Sequence, residues 1–103
     1  MNNKTPSKDL IDAILSIETE EECIAFLNDI CTIQELEKLD QRLKAAILLL
    51  DNQTYEKVIE KTKISSTTLS RVSRCIRYGD GGYKNIIDKI NKVNPFDFLN
   101  LID

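Results

Sequence analysis

Three arginines, Arg71, Arg74 and Arg77, recur every third residue along a stretch that also carries Ser65, Ser66, Thr67, Thr68 and Ser70. These residue types suit binding rather than bond-making. A guanidinium presents a planar fork of donors that fits phosphate oxygens and guanine edges, and a short hydroxyl donates and accepts at close range. The chain holds ten lysines and only four arginines, and three of those four fall here. A lysine would act as a flexible point charge, so the choice of arginine points to a recognition surface. For three cations on one helix, an ordinary solvated face is the alternative.

For these side chains to act together, residues from about 66 to 78 must form a helix, and the pattern agrees. Leu69, Val72 and Ile76 fall on one face at spacings of three and four, while Thr67, Ser70, Arg71, Arg74 and Arg77 point away. Upstream, Thr54 can cap a shorter helix beginning at Tyr55. With Tyr55 as the first position, the buried positions of a helix-turn-helix fall on Val58, Thr62, Ile64, Leu69 and Val72, all apolar except Thr62. Residues from about 54 to 79 are therefore expected to form that motif, with Gly79 ending its second helix. Two residues fit the motif poorly. Ile59 stands where a small residue is usual and is expected to splay the helices; Lys63 stands where the turn favours glycine and would have to adopt a left-handed conformation or force a different turn.

The net charge of −3 is unevenly placed. Residues 1–53 carry net −6, residues 54–78 net +4 and residues 79–103 net −1. Positive charge is concentrated on the motif, and an acidic remainder would orient docking on DNA and limit non-specific binding.

The rest of the sequence predicts further helices. Ser7 can cap one running to about Ile17, with Leu10, Ile11, Ile14 and Leu15 buried. Thr19 with Glu22, and Thr32 with Glu35, have the spacing of capping boxes. The first would open a helix burying Ile24, Phe26, Leu27 and Ile30. The second would open the longest helix, to about Asp51, with Ile33, Leu36, Leu39, Leu43, Ala46, Ile47 and Leu50 at helical spacing. Its end, Ala45 to Leu50, is apolar all round, so the motif helices and a second subunit are expected to cover it. Gly79 to Gly82 reads as a flexible joint, and Tyr83 to Val93 as a last helix stopped by Pro95. The apolar tail Phe96, Phe98, Leu99, Leu101 and Ile102 is expected to pack on its own chain or a dimer partner, or to dock another protein. The expectation is one all-α domain over residues 1–103, with about six helices.

Cys23, Cys31 and Cys75 are odd in number, widely spaced and unaccompanied by histidine, which argues against zinc and for free thiols in a reducing cytoplasm. No apolar run reaches the roughly 18 residues of a membrane span. With no histidine, no nucleophile and base at recognisable spacing and no glycine-rich phosphate loop after a strand, neither an enzyme nor a bound cofactor is expected.

From about Cys31 to Tyr83 the chain resembles the Trp-repressor-like DNA-binding proteins, and within them the YerC/YecD branch. The resemblance rests on Thr32-Ile33-Gln34-Glu35-Leu36, on Gln41-Arg42-Leu43, on Thr54-Tyr55, and on Ile64-Ser65-Ser66-Thr67-Thr68-Leu69-Ser70-Arg71-Val72. Arg77-Tyr78-Gly79 and Gly82-Tyr83 are similar to the same branch. It implies an intertwined homodimer, with dimerisation helices over about 7–51 and 83–103, that places its second motif helices in successive major grooves of double-stranded DNA. It further implies Ser66, Thr67 and Ser70 at base edges and Thr68, Arg71 and Arg74 at phosphates, with Thr54, Ser65 and Arg77 completing the DNA-binding set. In tryptophan-responsive members the amino acid is held at positions matching Thr32, Arg42 and Arg71. A glycine and a serine of that site correspond here to Val72 and Cys75, and Val72 would fill the slot. For Arg42, a helix-surface ion pair with Asp40, Glu37 or Glu35 is the alternative. The expected function is a DNA-binding transcription regulator, a repressor by occlusion that does not use tryptophan. A helical protein-interaction module and an anion-metabolite-responsive regulator are the alternatives.

Overall fold

The computed structural model describes residues 5–93. Among these are six helices, α1 (Lys8–Leu15), α2 (Glu20–Ile30), α3 (Ile33–Leu50), α4 (Tyr55–Thr62), α5 (Ser66–Tyr78) and α6 (Gly82–Val93), and no strand. The all-α expectation and the count of six hold. The apolar tail and Pro95 lie outside the described residues. The chain divides between Lys38 and Leu39 into two compact units.

In the first unit the helix starts follow the capping chemistry. Ser7 Oγ accepts from Leu10 N at 3.2 Å, and Thr19 Oγ1 accepts from Glu22 N at 3.1 Å. The return bond of the second cap comes from one residue earlier than a capping box requires: Glu18 N, not Thr19 N, donates to Glu22 Oε1. Thr32 and Glu35 make the full reciprocal box, Thr32 N to Glu35 Oε1 at 2.8 Å and Glu35 N to Thr32 Oγ1 at 3.1 Å. The predicted burial of this region is not found. Neither α1 nor α2 has a buried residue; Ile14 is 53% exposed, Leu15 77% and Ile33 73%, with Leu10, Ile11, Ile24 and Ile30 also open. Their apolar stripes are present in the sequence, but of the expected core positions on these two helices only Phe26 and Leu27 are half-buried and the others stay open.

The second unit holds the core. Ala45, Ala46, Ile47 and Leu48 of α3 are buried with Val58, Ile64, Leu69, Val72 and Ile87. Leu49, Leu50, Ile59, Ile76 and Tyr83 pack against this cluster. Of the stretch Ala45 to Leu50, expected to be covered by the motif helices and a second subunit, Ala45 to Leu48 are buried within the single chain and Leu49 and Leu50 are half-buried. Leu39 and Leu43, expected in the core, remain open at 47% and 39%.

Three connections shape the unit. Asn52 turns α3 into α4 at φ 64°, a left-handed conformation that asparagine tolerates, and Gln53 N closes onto Leu48 O at 3.0 Å. Between α4 and α5, Lys63 takes φ 62°, ψ 19°, so the lysine in the turn adopts the left-handed conformation outright. After α5, Gly79 has an ordinary negative φ; what demands glycine is space, because a Cβ there would lie 2.5 Å from Cys75 O. The expected four-residue joint is shorter, since Gly82 already belongs to α6.

Thr62, the one polar member of the predicted motif core, is buried and satisfied. Its Oγ1 donates to Val58 O at 2.7 Å and accepts from Ile64 N at 3.3 Å. Its carbonyl accepts from Gln41 Nε2 of α3 at 3.2 Å.

Lys63 is exposed, so replacing it changes the backbone term and little else. A non-glycine residue in the left-handed region costs about 1–2 kcal/mol, partly offset by the greater entropy that glycine loses on folding. Lys63→Gly is therefore expected to raise the thermal midpoint by roughly 2–5 °C. An unchanged or lower midpoint in calorimetry would contradict that account of the turn.

Candidate nucleic-acid interface

All five predicted core positions of the motif are buried: Val58 and Leu69 at 0% exposure, Ile64 and Val72 at 2%, Thr62 at 9%. This fixes the rotation of α5 about its axis, and with it the residues that face outward. Ser66, Thr67, Ser70, Arg71, Arg74 and Arg77 are exposed, as predicted, and Thr68 is half-buried. None of the three arginines forms an ion pair with a described residue; the two pairs among the described residues are Lys8–Asp12 and Lys44–Asp40. Their charges are left available to an external anion.

The start of α5 is built from hydroxyls. Ser65, extended at φ −71°, ψ 152°, accepts from Thr68 N at 3.1 Å and donates its own proton to Thr68 Oγ1 at 2.9 Å. Thr68 Oγ1 is thus an acceptor toward Ser65, and its hydroxyl proton can be directed outward. The N–H groups of Ser66 and Thr67 have no partner among the described residues, as expected at a helix N-terminus, and that end carries the positive pole of the helix dipole. Thr54, exposed, caps α4 through Lys57 N at 3.2 Å and likewise keeps its own proton free. The outward side of α5 thus carries donors and cations, and Thr54 adds an exposed hydroxyl at the start of α4.

Val72 and Ser73 turn inward, the serine only 8% exposed. Its burial was not predicted; its spacing of four from Leu69 was the available signal.

A second cluster lies behind α5. Burial in the core raises the Tyr83 phenol above its ordinary value, with a smaller push from Cys75, while the nearby Arg42 and Arg71 guanidinium groups pull it down. The two arginines therefore converge electrostatically on one neutral phenol carried by α6. Arg42 forms no ion pair with a described residue, Asp40 being engaged by Lys44, so the expected alternative of a surface ion pair with Asp40, Glu37 or Glu35 is not realised. Its Nε is buried and has no hydrogen-bond partner. Thr32, the third expected ligand position, belongs to the first unit, where its hydroxyl serves the capping box of α3. No role was expected for Tyr83 beyond the start of the last helix and the pair Gly82-Tyr83, because a lone tyrosine at a helix start carries no periodic signal.

The described residues hold no group of three or more acidic, cysteine or histidine side chains placed to bind a metal ion, and no helix long and apolar enough to cross a membrane. The three cysteines are free thiols.

Comparison with known proteins gives a consistent result. The family model described as Trp repressor protein matches residues 7–91. The chain is 41% identical over 83 residues to the uncharacterized protein YerC of Bacillus subtilis (strain 168), covering 81% of this chain and 80% of that one. Among solved structures it is similar to a TrpR-like protein from Eubacterium eligens ATCC 27750, with a TM-score of 0.79, 38% identity and coverage of 82% of this chain and 87% of that one. It is also similar to a candidate Trp repressor from Staphylococcus aureus, with a TM-score of 0.78, 38% identity and coverage of 81% and 83%. Sequence match and helix arrangement agree, and the chain belongs to the Trp repressor family.

Proposed function

We propose that this protein is a sequence-specific, DNA-binding transcription regulator, a repressor by occlusion, that reads double-stranded DNA as a cytoplasmic homodimer and does not use tryptophan as corepressor. The observation that carries this reading is α5. One side of it is fixed in the core by Leu69 and Val72, and the other presents exposed arginines and hydroxyls with no ion pair to a described residue. In this reading Ser66, Thr67 and Ser70 approach base edges, while Thr54, Ser65, Thr68, Arg71, Arg74 and Arg77 hold phosphates. Short hydroxyls discriminate bases poorly, so specificity rests largely on water bridges and DNA shape. Val72 argues against tryptophan, because its side chain is buried where an indole would need room. The proposal is of one functional domain over residues 1–103, with no enzymatic role and no cofactor.

The homodimer is supported by the open apolar faces of α1 and α2 and by Leu39, Leu43, Ile86 and Ile90, which a second copy would cover. Sedimentation at micromolar concentration is expected to give twice the 11.8 kDa chain mass. A clean single-chain species would remove the dimer.

Arg42 favours a second reading, a regulator responsive to an anionic metabolite, because its buried Nε lacks an acceptor and Arg71 lies close to the same phenol. Under it, inorganic phosphate or a simple carboxylate should raise the thermal midpoint of the wild-type protein and leave Arg42→Ala unmoved. Equal responses in both would exclude the site.

The direct test of DNA reading is selection from genomic fragments with wild-type protein beside Arg71→Ala and Arg74→Ala. The expected outcome is a palindromic motif with half-sites about one helical turn apart. Each variant should weaken binding about equally across sequences and lower the salt slope by about one per lost phosphate contact per subunit. No enrichment by the wild type at low salt would reject the reading.

A further inference from the structure

Resting on the reading of α5 as the DNA-contacting helix, we propose that Gln41 is a positioning residue: from α3 it clamps the turn between α4 and α5 and so sets the direction of the reading helix.

The hydrogen bonding around the turn carries this inference. Thr62 is the last residue of α4, and at Lys63 the chain swings into the left-handed region. A helix that continued would satisfy the Thr62 carbonyl from four residues further on; the turn forecloses that partner. Gln41 Nε2 supplies a replacement at 3.2 Å from a partly buried position 21 residues away. The remaining bonds at the turn are local. Lys63 N closes onto Ile59 O at 2.9 Å, Thr62 Oγ1 donates to Val58 O at 2.7 Å, and Ile64 N donates to Thr62 Oγ1 at 3.3 Å. Local bonds hold the turn's shape but cannot fix it against another element. Among the side-chain hydrogen bonds of the described residues, only the Gln41 bond runs from α3 to the motif, and α3 is itself held by Ala45, Ala46, Ile47 and Leu48 in the core.

Ile64 and Leu69, at 2% and 0% exposure, then anchor the start of α5 directly beyond the clamped carbonyl. A turn that carries a left-handed lysine has an unclamped alternative within easy thermal reach, because relaxing Lys63 would release its strain. The glutamine bond opposes that release. A small change of direction at the turn displaces Arg74 and Arg77, farther along α5, by more than it displaces Ser66, so base and phosphate contacts lose their common register.

The test uses the full chain with Gln41→Met, which keeps length but donates no hydrogen bond, and Gln41→Glu, whose ionised carboxylate would face the Thr62 carbonyl. The first readout is native-state amide exchange. Gln41→Met should speed exchange of the Lys63 and Ile64 amides about fivefold or more while leaving Leu69 and Val72 unchanged. The second is the ratio of affinities for the selected DNA site and a scrambled duplex, expected to fall about fivefold or more in Gln41→Met, with the salt slope on the scrambled duplex unchanged because every arginine is still present. In Gln41→Glu the loss should be larger at pH 8 and shrink toward wild type at pH 5 as the carboxyl takes up a proton and becomes a donor. Unchanged exchange at Lys63 and Ile64, or a rise shared equally by Leu69 and Val72, would overturn the clamp. If the wild type prefers no DNA sequence, the DNA-reading proposal fails on that count alone, and the exchange result still decides whether Gln41 holds the turn.

Discussion

Everything in the motif depends on the contact between the end of α3 and the two helices that follow. Helices of 8 and 13 residues are too short to persist alone, so α4 and α5 owe their existence to what they pack on. Ala45 and Ala46 are fully buried in the same cluster as Val58 and Leu69, which reach zero exposure there. Burying one such valine or leucine is worth about 1.5–3 kcal/mol, against a typical domain stability of about 5–15 kcal/mol. The core therefore does two things at once. It holds the second unit together, and by fixing the rotation of α5 it decides which residues meet the outside.

The outward face shows the opposite economy. Arg71, Arg74 and Arg77 repel one another across turns of a single helix, in a segment of net charge +4, with no ion pair to a described residue. Left-handed Lys63 adds backbone strain in the same motif. Neither feature favours folding. Unpaired positive charge gathered on the outward side of one helix is what a binding role would explain and a purely structural one would not. The net −6 of residues 1–53 outweighs the +4 of the motif, so the chain as a whole is acidic while the three arginines of α5 form no ion pair with a described residue.

How much of this was legible beforehand depended on how local the governing physics was. Caps at Ser7, Thr19, Thr32 and Thr54 could be read because a cap is settled within four residues, and the helix boundaries followed from them. The five buried motif positions could be read because their spacing joins two helices through a turn of fixed length. The partners of Gln41 and Tyr83 could not, because they sit on other helices and a single glutamine or tyrosine has no period. Gly79 was identified as a helix stop, while the reason for glycine there is visible only in the fold: the Cys75 carbonyl leaves no room for a Cβ. The apolar stripes of α1 and α2 were also legible, yet periodicity names a face to be buried and never the surface that buries it.

Those stripes bear on how the protein would work. An amphipathic helix of 8 or 11 residues with its apolar face in water has little to hold it folded. Under the proposed dimer, a second copy covers these faces, and folding of the first unit and association become one equilibrium that depends on chain concentration. The second unit differs, because its core of Ala45 to Leu48 with Val58, Ile64, Leu69, Val72 and Ile87 lies within one chain. Under the same proposal, a DNA-reading unit with its own core keeps the direction of α5 constant whatever the concentration, association governs how many such units engage a DNA site together, and the packing on α3 sets the geometry of each.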